Sequence, residues 1–295
     1  MDSPFFINGK LVGLQVNNPQ IYRLNNFTHI INSDSIEIPK DRKPDLVNIV
    51  FNCIKVMAKL EMLLLKYQGI KNSTVKKLEK GQYKKSYNSI EWEDPTFELH
   101  DCFSEFLIQA SIALRYKTRF SMIIFNTNEL KDHKKRNKRI LDELNLKKSI
   151  IGEEYHKCCL DMINDDINWL KELIDFRNQT EHVEDEMLDI TDFKLITHDK
   201  DIQGAVFPGL TLNKKFVHTY MEETFYNVFT HIEDFFAMLL NLFCNGPLRV
   251  IKVLNQEDNC KKGSINDLGD YSYELMIKDD ILKSILSNIE QDQKE

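Results

Sequence analysis

Hydrophobic residues recur at three- and four-residue spacing over four long stretches of the chain, which is the pattern of amphipathic helices. Helix signals flank these stretches: Pro44 suits a first helical turn, Gly69 suits a helix end, and Asp94 suits an N-cap before Pro95. The fourth stretch ends at a strong stop signal, Asn245-Gly246-Pro247. The predicted helices span about 44–69, 95–125, 152–180 and 213–245.

Two shorter stretches alternate like strands. Asn8-Gly9 lies between apolar residues and predicts a hairpin within a strand-and-turn lead-in that also includes Thr28 to Ile31. Phe193 to His198 alternates, Asp199 to Asp201 forms a turn, and a second strand follows, which predicts a hairpin at about 190–212.

Helices of this length bury their apolar faces best against one another. The pattern therefore predicts a mainly α fold, a four-helix bundle with hairpins at its start and between helices 3 and 4. The expected parts are a lead-in (1–40), the bundle with its hairpin (41–247) and a tail with one helix at about 278–291 (248–295). The polar stretches 70–93 and 131–148 are expected to connect the helices.

Composition narrows the class of protein. The 295 residues are 42% hydrophobic and carry a formal charge of −7, which excludes a uniformly basic surface that coats nucleic acid. Six cysteines lack any CxxC pair, as expected of reduced, buried thiols. No signal peptide is recognised after Met1, and the longest apolar run, Phe235 to Cys244, is too short to span a bilayer. We therefore expect a cytoplasmic protein with no membrane partner.

The end of the third helix carries the candidate chemistry. A stripe of Ile163, Ile167, Leu170 and Ile174 predicts a buried face, and the next positions on it are Arg177 and Asn178, with His182 beyond them. Polar groups placed where a core is expected require partners. A second apolar side, formed by Trp169, Leu173 and Phe176, suggests a further interface, such as a homodimer contact.

Arginine and histidine suit phosphodiester cleavage without a metal. Arginine offers a fork of donors to a phosphate that gains charge, and histidine exchanges protons near neutral pH. Asn178 and His182 share a helix face, whereas Arg177 and His182 diverge by about 140°. Arg177 and His182 would converge only if the helix ends or bends between them, or if a second copy supplies one of them.

Arg177-Asn178-x-x-x-His182, late in an apolar helix, resembles the R-x4-6-H motif of the HEPN superfamily. The resemblance implies a compact helical bundle that cleaves RNA without a metal or other cofactor, through the 2'-hydroxyl, at a composite site in a dimer. Arg177 would bind the phosphate and the transition state, Asn178 would act as a polar positioner that holds the imidazole or a ribose hydroxyl, and His182 would transfer protons. Members include toxins and antiviral defence effectors, so an antitoxin or defence-system partner is implied. The tyrosine that follows the histidine by two positions in some toxins is Glu184 here.

Other candidate sites are weaker. A basic cluster could form an RNA path, or it could be a solvated loop; its central residues are Lys134, Lys135, Arg136, Lys138 and Arg139. His156 with Cys158 and Cys159 lacks the spacing of a zinc site, so no metal site is predicted. His231 is expected to be a packed core histidine.

Three hypotheses remain open at this stage. The first is an RNase of HEPN type. The second is a noncatalytic HEPN-like module that dimerises or binds nucleotides or RNA. The third is a helical scaffold without phosphate chemistry.

Overall fold

The computed structural model describes residues 6–7, 10–11, 19–82, 84–85, 90–91, 95–126, 133–154, 156–157, 159–160, 167–181, 194–198, 201–206, 209–210, 215–245, 248–254 and 271–277. Within these residues the chain is mainly helical, as predicted. A 3-10 helix (Pro19–Asn25) precedes the α-helices α1 (Asn26–Asn32), α2 (Lys43–Glu79), α3 (Thr96–Ile124), α4 (His133–Leu146), α5 (Lys148–Ile151), α6 (Ile167–Glu181) and α7 (Val217–Asn241).

The described strands form antiparallel pairs. In chain order the strands are β1 (Phe6–Ile7), β2 (Lys10–Leu11), β3 (Lys84–Lys85), β4 (Ile90–Glu91), β5 (Lys194–His198), β6 (Asp201–Val206), β7 (Gly209–Leu210), β8 (Lys215–Phe216), β9 (Leu248–Leu254) and β10 (Tyr271–Ile277). Ile7 pairs with Lys10 across Asn8-Gly9, and His198 pairs with Asp201, which confirms strand pairing at both predicted hairpins. The other pairs are β3 with β4, β7 with β8, and β9 with β10.

Helix α2 does not end at Gly69, so that predicted boundary is wrong. The helix continues to Glu79 because Leu78 and Thr74 are buried and extend its packed face. It stops at Gly81, which has a φ of +69°. There the N–H of Gly81 donates to the Leu78 carbonyl and the N–H of Gln82 donates to the Lys77 carbonyl. These two bonds form a Schellman motif, in which glycine takes the left-handed position.

Two other regions that were not predicted to be helical form helices. Thr28 to Ile31 were expected to be strand-like, but Phe27, Ile30 and Ile31 form the buried face of α1. A short apolar run fits either element until its packing partner is known. The stretch 131–148 was expected to be a connection, yet α4 covers most of it because Ile140 and Leu144, four residues apart, are fully buried.

The described chain divides into two compact units. Unit 1 is formed from residues within 1–55, 113–167 and 229–295, and unit 2 from residues within 56–112 and 168–228. The boundaries between units fall inside α2, α3 and α7 and after the first residue of α6.

Unit 1 has an aromatic core. The Phe120 ring stacks on Phe236 with centroids 4.1 Å apart, and Phe27 meets Phe236 edge-on at 5.7 Å. Phe27 also contacts Tyr273 of β10, at 5.1 Å. The β9–β10 ladder was not predicted, although Tyr271 and Tyr273 alternate in the manner of a half-buried strand. The predicted tail helix at 278–291 lies outside the described residues.

Unit 2 is organised around Tyr220 of α7. Its ring meets Phe103 of α3 at 6.1 Å and Phe176 of α6 at 5.2 Å, both nearly perpendicular. Edge-to-face contacts of this kind stabilise aromatic pairs beyond their buried area. The Phe176–Tyr220 contact therefore fixes α6 against α7 within this unit.

The buried face of α6 is not the one first predicted. Leu173 and Phe176 are fully buried, whereas Ile174 is 43% exposed and Leu170 is half-buried. Both stripes have helical spacing, and the aromatic one enters the core. The side chains of Ile163 and Ile167 lie outside the described residues, as do residues 161–166 of the predicted third helix.

The sequence also predicted buried thiols and no membrane-spanning segment. Among the described cysteines, Cys53, Cys102 and Cys159 are buried and Cys244 is half-buried. Burial raises the pKa of Cys102 and of Cys244 to about 11, so both thiols stay protonated at neutral pH. No described helix is both long and apolar enough to cross a membrane.

Candidate functional site

The candidate site begins at Phe176, the last fully buried residue of α6. Its ring packs on Tyr220, so the backbone that follows is held against the core of unit 2. Burial raises the pKa of Tyr220, which keeps its hydroxyl protonated. Phe176 therefore places the next helical turn at the edge of the unit, where side chains are half-buried.

Arg177 and Asn178 form a hydrogen-bonded pair in that turn. Arg177 Nη1 donates to Asn178 Oδ1 over 3.1 Å, and both side chains are half-buried. In the same turn, Thr180 Oγ1 donates to the Arg177 carbonyl over 2.7 Å. Because the amide is neutral, it orients the guanidinium without neutralising its charge.

His182, the third member of the motif, lies outside the described residues, as does the side chain of Glu181. Helix α6 is described as far as Glu181, so Arg177 and Asn178 are in its last described turn. The convergence of Arg177 with His182 stays a prediction.

The basic cluster belongs to α4, in unit 1, and not to the unit that holds Arg177. Lys138 and Arg139 are exposed, and Arg139 pairs with Glu143 one turn along at 3.2 Å. The side chains of Lys134, Lys135 and Arg136 lie outside the described residues. The described part of the cluster is therefore the solvent face of an amphipathic helix, which is compatible with both of its earlier interpretations.

The histidines considered from the sequence are in different settings. His231 is buried, contacts Lys117 and lies 5.9 Å from the Phe235 ring. The ring of His156 is within 2.9 Å of Asn145 Oδ1. Among the described residues, no group of three histidine, cysteine or acidic side chains is placed to hold a metal ion, and Cys158 is not described.

A second polar cluster in unit 2 was missed from the sequence. Lys71 Nζ lies 3.0 Å from Nδ1 and 3.3 Å from Nε2 of His218, and Gln68 Nε2 donates to Glu222 Oε1 over 2.7 Å. The Phe216 ring, 44% exposed, stacks on His218 at 5.7 Å. The pairs come from helices far apart in sequence, α2 and α7, so spacing alone could not reveal them.

The ionisable groups of this cluster have shifted pKa values. Loss of hydration lowers the pKa of Lys71 and of His218, and the neighbouring Lys71 ammonium lowers that of His218 further. Burial likewise raises the pKa of Glu222, against the hydrogen bond from Gln68. Each of the three pKa shifts is in the direction that favours the neutral form of its group.

Fold and site together define a mainly helical protein with an arginine–asparagine pair at the edge of one unit. No protein-family model, curated protein or solved structure matches the chain.

Proposed function

We propose that the protein is a metal-independent endoribonuclease of HEPN type, acting as a toxin or defence effector. The observation that carries the proposal is the Arg177–Asn178 pair, which is held beside the core by Phe176 and is half-buried. Arg177 would bind the scissile phosphate and the charge that develops on it, Asn178 would orient the arginine, and His182 would transfer the proton. The described helices α2, α3, α6 and α7 would form the bundle expected of the family.

The exposed side of α6 supports a homodimer. Leu170 is half-buried and Ile174 is 43% exposed, and Asn178 is the next residue along the same helical row. An apolar row that leads to the polar pair would be covered by a second copy. Such a contact would place Arg177 of one protomer near His182 of the other, which resolves their divergence on a straight helix.

The direct test is cleavage of a single-stranded RNA in the presence of EDTA. We expect Arg177→Ala and His182→Ala to lower the rate by at least about a hundredfold, because each removes a group that acts in the transition state. Arg115→Ala is the matched control, since Arg115 is an exposed arginine of α3. Wild-type cleavage that persists in both site variants would contradict the proposal, as would binding of RNA without cleavage.

Mixing the two inactive variants tests the composite site. If Arg177 and His182 of different protomers act together, a heterodimer of Arg177→Ala with His182→Ala keeps one intact pair, and partial activity returns. If each protomer uses its own pair, the mixture stays inactive. Ile174→Asp should lower both the dimer fraction in analytical ultracentrifugation and the cleavage rate, whereas a dimer unaffected by this change would place the interface elsewhere.

A further inference from the structure

A cavity of about 440 Å³ lies within unit 1, between the start of α2 and the end of α3. Its volume is in the range of small-molecule sites, roughly 300–1,000 Å³. It is lined by Arg42, Asp45, Ile49, Arg119, Met122, Ile123 and Asn126.

Two arginines supply the positive charge of this cavity. Arg42 is half-buried and Arg119 is exposed. The backbone of Arg42 is fixed, because its N–H donates to the Pro39 carbonyl and its carbonyl accepts from Leu46. The Arg119 guanidinium lies 5.6 Å from the Tyr116 ring centroid. Within the part of the chain that the structure describes, neither guanidinium forms an ion pair or a side-chain hydrogen bond.

This state differs from that of Arg23 and Arg139. Arg23 is committed to Glu233, and Arg139 is paired with Glu143. Arg42 and Arg119 instead both line one concavity, and each carries a planar fork of donors. Forks of this kind match the oxygens of a phosphate and bind it in a bidentate manner.

The rest of the lining limits the ligand. Ile49 is buried and Met122 and Ile123 are half-buried, so one wall is apolar. Asn126, with a φ of +54°, adds an amide just after α3 ends. Asp45 adds one negative charge, which leaves a formal lining charge of +1 from two arginines and one aspartate. That balance accepts one anionic group and disfavours an extended polyanion.

We propose that this cavity binds a small phosphomonoester whose body is apolar. The phosphate lies between Arg42 and Arg119, and the body lies along Ile49, Met122 and Ile123. Asn126 contributes a polar contact at the rim. This site is independent of the proposed nuclease chemistry, which rests on α6 in the other unit.

The test uses phenyl phosphate, which combines a phosphate with an apolar ring. Isothermal titration calorimetry should detect binding at millimolar concentration or below, and the methyl signals of Met122 and Ile123 should shift in NMR spectra. Inorganic phosphate should bind more weakly because it lacks the apolar body. Phenol should not bind because it lacks the anion.

Arg42→Ala and Arg119→Ala should each weaken phenyl phosphate binding about tenfold or more, since each removes charge-assisted hydrogen bonds. Arg119→Lys should also weaken binding, because lysine lacks the fork. Arg115→Ala, on the same helix and outside the cavity lining, should leave the affinity unchanged. Unchanged melting temperatures would show that the variants fold.

Three results would overturn the proposal. The first is no phenyl phosphate binding to the wild type at millimolar concentration. The second is binding that Arg42→Ala and Arg119→Ala do not weaken. The third is tighter binding of a single-stranded RNA through the same two arginines, which would make the cavity part of a nucleic-acid surface. None of these results depends on whether the protein cleaves RNA.

Discussion

Arg23 in unit 1 and Arg177 in unit 2 show two ways in which this fold holds an arginine. Arg23 has a side chain only 7% exposed, and its Nε and Nη2 donate to the two carboxylate oxygens of Glu233 over 2.7 and 3.0 Å. Its guanidinium also lies 4.9 Å from the Phe229 ring centroid and 3.7 Å from that of Tyr271. Arg177 is half-buried and donates to the neutral amide of Asn178.

The two arginines differ in the charge of their described partners. The Arg23 charge is matched by a carboxylate and covered by aromatic rings, so it contributes to the fold. Glu233 is fully buried; burial raises its pKa, and the bonds from Arg23 and Tyr271 oppose that rise. The described hydrogen bond of Arg177 is instead to a neutral amide, which orients the guanidinium without neutralising its charge.

The largest expected effect tests this comparison by truncating each arginine in turn. Arg23→Ala should lower the free energy of unfolding by about 3–5 kcal/mol, because it leaves the buried Glu233 carboxylate without its cation. Arg177→Ala should cost no more than about 1 kcal/mol, since it removes a part-exposed bond to a neutral group. Urea denaturation measures both values. Equal losses would show that Arg177 is as structural as Arg23.

The two faces of α6 provide the next test. Leu173→Ala should lower the free energy of unfolding by about 2–5 kcal/mol, because Leu173 is fully buried. Ile174→Ala, at the next residue and 43% exposed, should cost less than about 1 kcal/mol at protein concentrations where the chain is monomeric. The reverse order would restore the face first predicted from the sequence.

These faces also show how far the sequence could lead. Local signals placed Pro95 next to the start of α3 and paired the strands around Asn8-Gly9. A glycine does cap α2, but it is Gly81 and not Gly69, because only the packing of Leu78 shows that the helix continues to Glu79. Helix α6 has two apolar stripes with equal spacing. The sequence does not show which of them is buried, because that depends on the contact between Phe176 and Tyr220.

The site was predictable only where it is local. Arg177 and Asn178 were both identified from a local motif, but their hydrogen bond was not predicted, because side chains at i and i+1 do not ordinarily face each other on a helix. Arg23 and Glu233 are 210 positions apart, so no spacing rule could join them. The Lys71–His218 contact has the same origin, because it depends on how α2 meets α7 inside unit 2.

A smaller effect is expected at Tyr271, the third member of the network that Arg23 and Glu233 form. Tyr271 Oη donates to Glu233 Oε2 over 2.7 Å, and burial with the nearby carboxylate raises the pKa of Tyr271, so the hydroxyl remains a donor. Tyr271→Phe should lower the free energy of unfolding by about 1.5–3 kcal/mol, the usual loss of a hydrogen bond to a charged group. Tyr226→Phe, at an exposed position, is the matched control and should change it by less than about 0.5 kcal/mol. Equal losses in both variants would remove Tyr271 from the network.

The smallest expected effect is a pH dependence that distinguishes the half-buried cluster of unit 2. The pKa of His218 is lowered in the folded chain by loss of hydration and by Lys71. As pH falls through the ordinary histidine value, about 6.5, the unfolded chain takes up a proton before the folded chain does. The contribution of His218 to stability therefore rises with pH between its folded and its unfolded pKa and is constant outside that window.

His218→Gln should flatten this part of the stability profile, measured by urea denaturation between about pH 5.5 and 7.5. Lys71→Met should flatten it only in part, because loss of hydration, the larger cause of the shift, remains. The raised pKa of Glu222 acts in the opposite direction, and Glu222 is present in both variants. A slope that is the same in wild type and His218→Gln would show that His218 gains no proton on unfolding. In that case the Lys71–His218 contact would not contribute to the pH dependence of stability. The contrast between buried and half-buried charge would then depend only on Arg23 and Arg177.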